Sequence, residues 1–274
     1  MLKAKYIKTI FGGALGWLFS LIVIVPFLVV VINSLKTEAE ANLMGLSIPD
    51  SIQLQNYIEV ISKGNMVRSF FNSLLISTFC VLIGILVSAM AAFIISRNKS
   101  KFNRICYYLF FIGLIAPVNY ITTIKTLKLL HINNSYTGVI LFNSALAIPF
   151  AVFLFTGFIS TVPKEIDESG TIDGCNSMNL FFRIVFPLLK PVTITASILT
   201  FISSWNDFMT PLYLLNQSQK WTMILSVYNF WGFYTAQWNL ICSVIVLTLL
   251  PILIIYIFAQ KYIIAGMTAG SVKG

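Results

Sequence analysis

The chain has 274 residues, of which 58% are hydrophobic and only 10% are charged, with a net charge of +9 and a mean hydropathy of +0.88. This balance excludes an ordinary soluble domain, which needs a polar surface. The cations stand at the ends of apolar stretches without interleaved base-stacking aromatic residues, so the basic charge does not indicate a nucleic-acid partner. The composition predicts an integral membrane protein in contact with lipid.

Uncharged stretches of about 20 residues recur along the chain, each long enough to cross the bilayer as a helix. They lack the period-2 alternation of a membrane β-barrel. We therefore predict an all-α integral membrane protein with a single transmembrane domain over 1–274 and a core over about 70–259. The first span is longer than the apolar core of a signal peptide and is expected to be retained. The six predicted transmembrane helices are 14–35, 70–95, 105–123, 137–160, 192–215 and 240–259.

The loops between these spans differ in basic charge. With six spans both termini share one side, and that side holds 12 of the 18 Lys and Arg residues. The positive-inside rule then places the N and C termini in the cytoplasm. The third span carries Pro117 and Asn119, so its outer end is expected to kink or to leave the bilayer early.

The sequence shows no pattern typical of catalysis or of nucleotide binding. It lacks the glycine-rich phosphate loop, the HExxH zinc pattern and the GxSxG nucleophile pattern. The four cysteines form no CxxC pair, and the single histidine, His131, has no second metal ligand at suitable spacing, so no metal site is predicted. The chain is expected to be a non-enzyme.

Polar residues within the spans are candidates to line a substrate path, because lipid penalises them and a wet cavity accepts them. Asp207 is the only acid there, which is little for an ion-coupled carrier. It fits a substrate contact and a structural acid hydrogen-bonded by Asn206, Ser203 or Ser204 equally well. The candidates are Asn119, Asn143, Asn206, Asp207 and Thr210.

A polar segment between the fourth and fifth spans holds four of the nine carboxylates of the chain. Pro163 suits a helix start, whose positive end the carboxylates complement. Gly174 permits a sharp turn, and Asn176 can cap a second helix. The apolar face of that helix runs over 178–185 until Pro187 breaks it. A connector over 161–191 exceeds what packed spans need, so we predict a docking element, cytoplasmic by the charge rule.

This segment resembles the "EAA" signature of permease subunits in ATP-binding-cassette importers. The signature is Glu-Ala-Ala, three residues, Gly, nine residues, then Ile-x-Leu-Pro. Glu168-Ser169-Gly170, Gly174 and Ile184-Val185-Phe186-Pro187 occupy that spacing. Ser169 and Gly170 replace the alanines, and Gly170 is expected to loosen the first helix. We call residues 161–191 the EAA loop.

The resemblance extends over nearly the whole chain and is to the second permease subunit of maltose-type, carbohydrate-uptake importers. The further segments that carry it are 33–40, 72–74, 205–208 and the tail 260–274. It implies that the tail lies against nucleotide-binding subunits. It also implies that the EAA loop docks on these ATPases as a coupling helix. The implied docking residues are Glu165, Glu168, Ser169, Gly170, Asp173, Gly174 and Pro187.

The same resemblance implies the partners and the cargo. The chain is expected to form a heterodimer with a related permease and to work with two ATP-binding subunits and an extracellular or periplasmic solute-binding protein. It would be a multi-pass protein of a bacterial or archaeal cell membrane. No cofactor is expected on this chain, since the partner ATPases use ATP and Mg. The implied substrate is a sugar; the alternatives are a non-sugar solute of the same superfamily and, less favoured, an ion-coupled secondary carrier.

Two outer segments, 217–239 and 37–68, are candidates to contact the binding protein. Aromatic side chains in the first suit a sugar-binding cleft, but an aromatic belt at the membrane interface explains them equally well. The resemblance leaves most sugar contacts to the partner permease. The contact candidates are Trp221, Tyr228, Trp231 and Tyr234.

Overall fold

The computed structural model describes residues 2–232 and 236–269, which are predominantly helical. Within these ranges it has no β-strand, only an isolated bridge between Trp231 and Ala236. A π-helix covers Leu180–Val185, and 3-10 helices cover Ser218–Lys220 and Leu225–Phe230. In chain order the α-helices are α1 Leu2–Ser34, α2 Glu38–Ala41, α3 Gln55–Lys63, α4 Met66–Arg97, α5 Lys101–Gly113, α6 Tyr120–Leu129, α7 Tyr136–Ile159, α8 Glu165–Ile172, α9 Ser177–Asn179, α10 Phe186–Leu188, α11 Lys190–Trp205, α12 Met209–Leu214 and α13 Trp238–Ala269.

Three of these helices are long and apolar enough to cross a membrane: α4, α7 and the part of α13 over Trp238–Tyr262. A fourth crossing arises if the bent pair Ser177–Leu188 and Lys190–Trp205 counts as one span. The all-helical fold agrees with the prediction of an integral membrane protein. The count of six spans and the side of the termini stay predictions.

Two of the predicted spans are interrupted. The third is divided between α5 and α6, and the gap contains Pro117, which supplies no backbone N–H to a helix. Asn119 ends the gap by capping α6, since its Oδ1 accepts the N–H groups of Ile121 and Thr122 at 3.1 Å. The fifth is divided between α11 and α12 at residues 206–208. Pro149, by contrast, lies inside the continuous helix α7.

The chain forms two compact units, of which the larger is Arg68–Leu225 with Ile252–Gly274. Its main core joins α4, α7 and α11 to the second half of the EAA loop. Small side chains allow these helices to approach closely, as is common between membrane helices. The aromatic members Phe155 and Phe181 fill the space beside them. The fully buried alanines of this core are Ala89, Ala92, Ala151 and Ala196.

The smaller unit, Met1–Val67 with Ser226–Pro251, is held by a buried polar network. Lys36 is only 1% exposed, and its Nζ donates to Gly45 O at 2.8 Å, Ser47 Oγ at 3.1 Å and Asn33 Oδ1 at 3.2 Å. Asn56 Nδ2 donates to the carbonyls of Ser34 and Lys36, each at 2.9 Å. The network therefore fixes the end of α1, the following loop and α3 together.

Candidate functional site

The first helix of the EAA loop, α8, has one exposed face and one packed face. The exposed residues recur at the helical spacing of three and four positions. The packed side holds Asp167 and the buried Gly170. Ile172 is 86% exposed and lies at the C-terminal end of the exposed face. The exposed face consists of Glu165, Glu168, Ser169 and Ile172.

The turn after α8 has the geometry of a Schellman motif. Gly174 has φ +80°, its N–H donates to Thr171 O at 3.1 Å, and the Cys175 N–H donates to Gly170 O at 3.0 Å. Glycine enters this left-handed conformation without the penalty that a Cβ imposes. Asp173 is the exposed C-cap residue of the helix. The prediction of a sharp turn at Gly174 is confirmed.

The second helix of the EAA loop begins as predicted, because Asn176 Oδ1 accepts the N–H of Asn179 at 2.9 Å. The predicted break occurs one residue after Pro187: the helical path includes the proline, ends at Leu188 and bends by 81° before α11. The preceding turns are widened into the π-helix, in which the Phe186 N–H reaches Phe181 O. We attribute the tolerance of the proline ring to this widening.

Gly170 occupies the closest contact between the two helices of the EAA loop. A Cβ atom built there would lie 2.7 Å from the Cδ1 atoms of both Leu180 and Ile184. These two side chains thus fill the space that the alanine of the signature would use. The helix α8 is continuous through Gly170, and the expectation that this glycine loosens it stays a prediction.

An ion pair joins the EAA loop to the end of α4. Arg97 Nε lies 2.6 Å from Asp167 Oδ2, and its Nη2 donates to Oδ1 at 3.3 Å. Arg97 Nη1 also donates to Val162 O at 3.0 Å. Both charged side chains are about one-seventh exposed (14% and 16%), so water screens the pair less than a surface pair. Arg97 therefore ties α8 and the residues before it to a membrane-spanning helix.

A polar cavity of about 240 Å³ lies among α4, α6, α7, α11 and α12. Three of the five predicted path residues line it: Asn143, Asp207 and Thr210. Asn119 caps α6 and Asn206 is the exposed C-cap residue of α11, and neither lines the cavity. The other lining residues are Cys80, Tyr120, Leu146, Ala147, Thr200, Ser203 and Ser204.

The acid and the amide in the cavity wall differ in their bonding. Asp207 Oδ1 accepts the backbone N–H of Thr210 at 3.1 Å, a different partner from those the sequence suggested. Asn143 is 7% exposed, and neither its Oδ1 nor its Nδ2 has a hydrogen-bond partner within the described ranges. An unsatisfied buried polar group costs about 1–3 kcal/mol. Asn143 therefore has two unsatisfied polar atoms in the cavity wall, and Ser204 Oγ has no partner there among the described residues either.

The predicted aromatic contacts with a binding protein have different surroundings. Trp221 is partly buried, and its Nε1 donates to Leu215 O at 3.1 Å. Tyr228 is 37% exposed, and Trp231, which is 51% exposed, packs edge-on against Trp238 at 5.5 Å. Tyr234 lies outside the described residues. So do residues 270–274 of the tail.

The second outer segment contains the short helices α2 and α3. A capping box starts α2: Thr37 Oγ1 and the Thr37 N–H donate to Glu40 Oε2 at 2.7 and 2.9 Å. The Asp50 N–H donates to Glu40 Oε1 at 3.2 Å. These bonds, led by the Thr37 hydroxyl, hold the pKa of Glu40 below its ordinary value of 4.5.

We expect acid to loosen this outer loop through Glu40. A lowered pKa in the folded state stabilises the loop at pH values above the ordinary pKa, and this contribution is lost as the pH falls through the lowered one. Amide hydrogen-exchange protection at Thr37 and Asp50 should therefore persist at pH 4.5 and decrease as the pH is lowered further. Glu40→Gln should remove this pH dependence, and Glu38→Gln, at an exposed position of the same helix, should keep it. An unchanged pH profile in Glu40→Gln would contradict the assignment.

Comparison with known families identifies the chain. The family described as "Binding-protein-dependent transport system inner membrane component" matches residues 84–269. The chain belongs to this family. The family is a transport component, so the permease is not an enzyme, as predicted.

Curated relatives match the permease over most of their length. The probable starch degradation products transport system permease protein AmyC of Thermoanaerobacterium thermosulfurigenes is 32% identical over 98% of this chain and 97% of its own. The melibiose/raffinose/stachyose import permease protein MelC of Bacillus subtilis is 31% identical over 91% of both chains. The multiple sugar-binding transport system permease protein MsmG of Streptococcus mutans is 34% identical over 98% and 96%.

A solved structure supports the same fold. A bacterial ABC transporter involved in the import of the acidic polysaccharide alginate has a chain with a TM-score of 0.82 to the permease. The match covers 94% of this chain and 97% of that one at 18% identity.

Sequence reasoning missed several residues of these sites. Arg97 was counted only as a loop cation, and nothing in the sequence indicates that Asp167 is its partner. Tyr120 and Thr200 line the cavity from helices far apart in the chain. Their only sequence signal is a polar or amphipathic side chain in or beside a predicted span.

Proposed function

We propose that the permease is the membrane-spanning subunit of an ATP-driven importer for a sugar or oligosaccharide. The observation that carries this proposal is the free acidic face of α8, which a Schellman turn ends at Gly174. Glu165 and Glu168 are exposed and have no ion pair among the described residues. The exposed Ile172 beside them offers an apolar anchor for a pocket on a partner.

In this proposal the EAA loop receives the motion of two ATPase subunits. ATP and Mg bind to those subunits, and this chain holds no cofactor. Closure of the ATPase dimer pushes on α8, and the Arg97–Asp167 pair passes the displacement to α4. The helices then change between inward-facing and outward-facing states, a two-state transition driven by differential binding.

The arrangement in the membrane follows from the charge distribution. We propose a multi-pass protein with six spans, both termini and the EAA loop in the cytoplasm, in a bacterial or archaeal cell membrane. A related permease completes the path as a heterodimer. On the other side the exposed Tyr228 and Trp231 suit contact with a solute-binding protein. The carbohydrate cargo is supported by the names of the relatives, which refer to starch degradation products and to melibiose, raffinose and stachyose.

Reconstitution tests the proposed function. The permease, its sister permease, the ATPase and the binding protein should take up at least one of raffinose, melibiose and maltotriose into proteoliposomes. Uptake should need hydrolysable ATP, and the loaded binding protein should stimulate ATPase activity. A non-hydrolysable ATP analogue is the matched control. Uptake driven by a sodium or proton gradient without ATP would refute the proposal.

A further inference from the structure

The cavity of the permease combines polar and apolar walls. Asn143, Asp207 and Thr210 supply polar groups, while Leu146 and Ala147 supply apolar ones. Resting on the proposed function, we infer that this cavity binds one ring of the transported carbohydrate, with Asn143 and Asp207 as its hydrogen-bonding groups. The permease thus contacts its cargo directly, beyond forming a passage beside the partner permease.

The amide of Asn143 sets the chemistry of the ligand. Its buried Oδ1 needs a donor and its Nδ2 needs an acceptor, and neither has one in the described part of the chain. Two hydroxyl groups on adjacent carbons meet both needs at once, because each hydroxyl can donate or accept. A ring with neighbouring hydroxyl groups therefore relieves the strain that the protein leaves at Asn143.

Asp207 complements this amide. Its Oδ1 is already bonded to the Thr210 N–H, and no partner for Oδ2 is found among the described residues. A carboxylate accepts hydroxyl protons with shorter, stronger bonds than a neutral acceptor does. Asp207 thus only accepts hydrogen bonds while Asn143 both donates and accepts, a combination that suits a polyol and not an anion.

The apolar wall and the size of the cavity favour a sugar ring over a bound cation. Tyr120 lies in the wall and stacks on Tyr213 at 4.6 Å, so its ring is held in place. A sugar ring has a C–H face that packs on such surfaces beside its polar edge. The volume of about 240 Å³ exceeds the roughly 30 Å³ of one water molecule but lies below the usual range of drug-sized pockets. It is adequate for one ring and not for a whole oligosaccharide.

Protection of an introduced cysteine tests the inference in the reconstituted complex. Ser203 is exposed and lines the cavity, so Ser203→Cys should react with a thiol reagent. The imported member of the panel of raffinose, melibiose and maltotriose should slow this labelling. Adding Asn143→Ala or Asp207→Asn should raise the protecting sugar concentration about 3- to 10-fold, the loss of one hydrogen bond.

Controls separate this inference from the proposed function. Ser88→Ala removes a buried hydroxyl that donates to Ile148 O at 3.3 Å and does not line the cavity, so protection should be unchanged. Asn143→Leu, of similar shape but without a hydrogen-bonding group, replaces the alanine variant if that one fails to insert. Equal protection in all variants overturns the inference while leaving uptake intact. Protection by sodium chloride and not by sugar would identify a cation site instead. Absence of any sugar uptake refutes the proposed function itself.

Discussion

Glu168→Lys is expected to abolish uptake while the permease still inserts into the membrane. Glu168 lies on the free face of α8 and makes no ion pair among the described residues, so the fold does not depend on its charge. A reversed charge in a desolvated docking cleft costs several kcal/mol, and we expect at least a roughly 30-fold fall in uptake. Uptake in cells and co-purification of the ATPase subunits measure it.

A matched charge reversal provides the control for this result. Glu38→Lys changes an exposed acid in the first turn of another helix, α2, and should leave ATPase co-purification unchanged.

A change of backbone conformation in the turn after α8 tests the same docking surface independently. Gly174→Val places a β-branched residue at φ +80° and should also weaken ATPase binding, while Gly174→Asn, which tolerates this conformation, should retain most of it. Full ATPase binding by Glu168→Lys would contradict the docking role.

The EAA loop could be predicted from the sequence because its determinants are local. A capping asparagine at Asn176 and a left-handed glycine at Gly174 act through bonds to residues within five positions. The behaviour of Pro187 could not be predicted in the same way. A proline normally ends a helix at the residue before it, but here a π-helix, whose Phe181 and Val185 belong to the buried core, widens the path and lets the proline lie inside the last turn. That packing depends on helices that the local sequence does not reveal.

The cavity and the buried cations depend on contacts between distant segments. The sequence identifies Asn143 and Thr200 only as polar residues in two separate predicted spans. They line the same cavity because α7 packs on α11. From the sequence, Lys36 is expected to be a solvent-exposed cation of a loop. In the structure it is buried, and its ammonium group donates hydrogen bonds to Gly45 O and Ser47 Oγ. Charge counts assign such residues to a side of the membrane and leave their partners undetermined.

The Arg97–Asp167 pair is expected to couple ATP hydrolysis to transport. Removing one partner leaves a charge that is mostly buried, which costs about 1–3 kcal/mol, between the values for surface and buried pairs. Without the ion pair, α8 can shift relative to α4. Part of the movement that each ATP hydrolysis cycle produces in the ATPase subunits then does not reach α4. Arg97→Met and Asp167→Leu should each lower the sugar transported per ATP hydrolysed by roughly 10-fold.

A double-mutant cycle distinguishes coupling from a general structural role. If the two side chains act through each other, Arg97→Met with Asp167→Leu should lose no more transport per ATP than Arg97→Met alone. The exposed pair Lys63 and Glu59, at 2.8 Å, provides the control: Lys63→Met with Glu59→Leu should change nothing. Losses that multiply in the double variant, or a normal transport ratio in both single variants, would show that motion reaches α4 by another contact. Because Arg97 also donates to Val162 O, Arg97→Met should be the more severe of the two single changes.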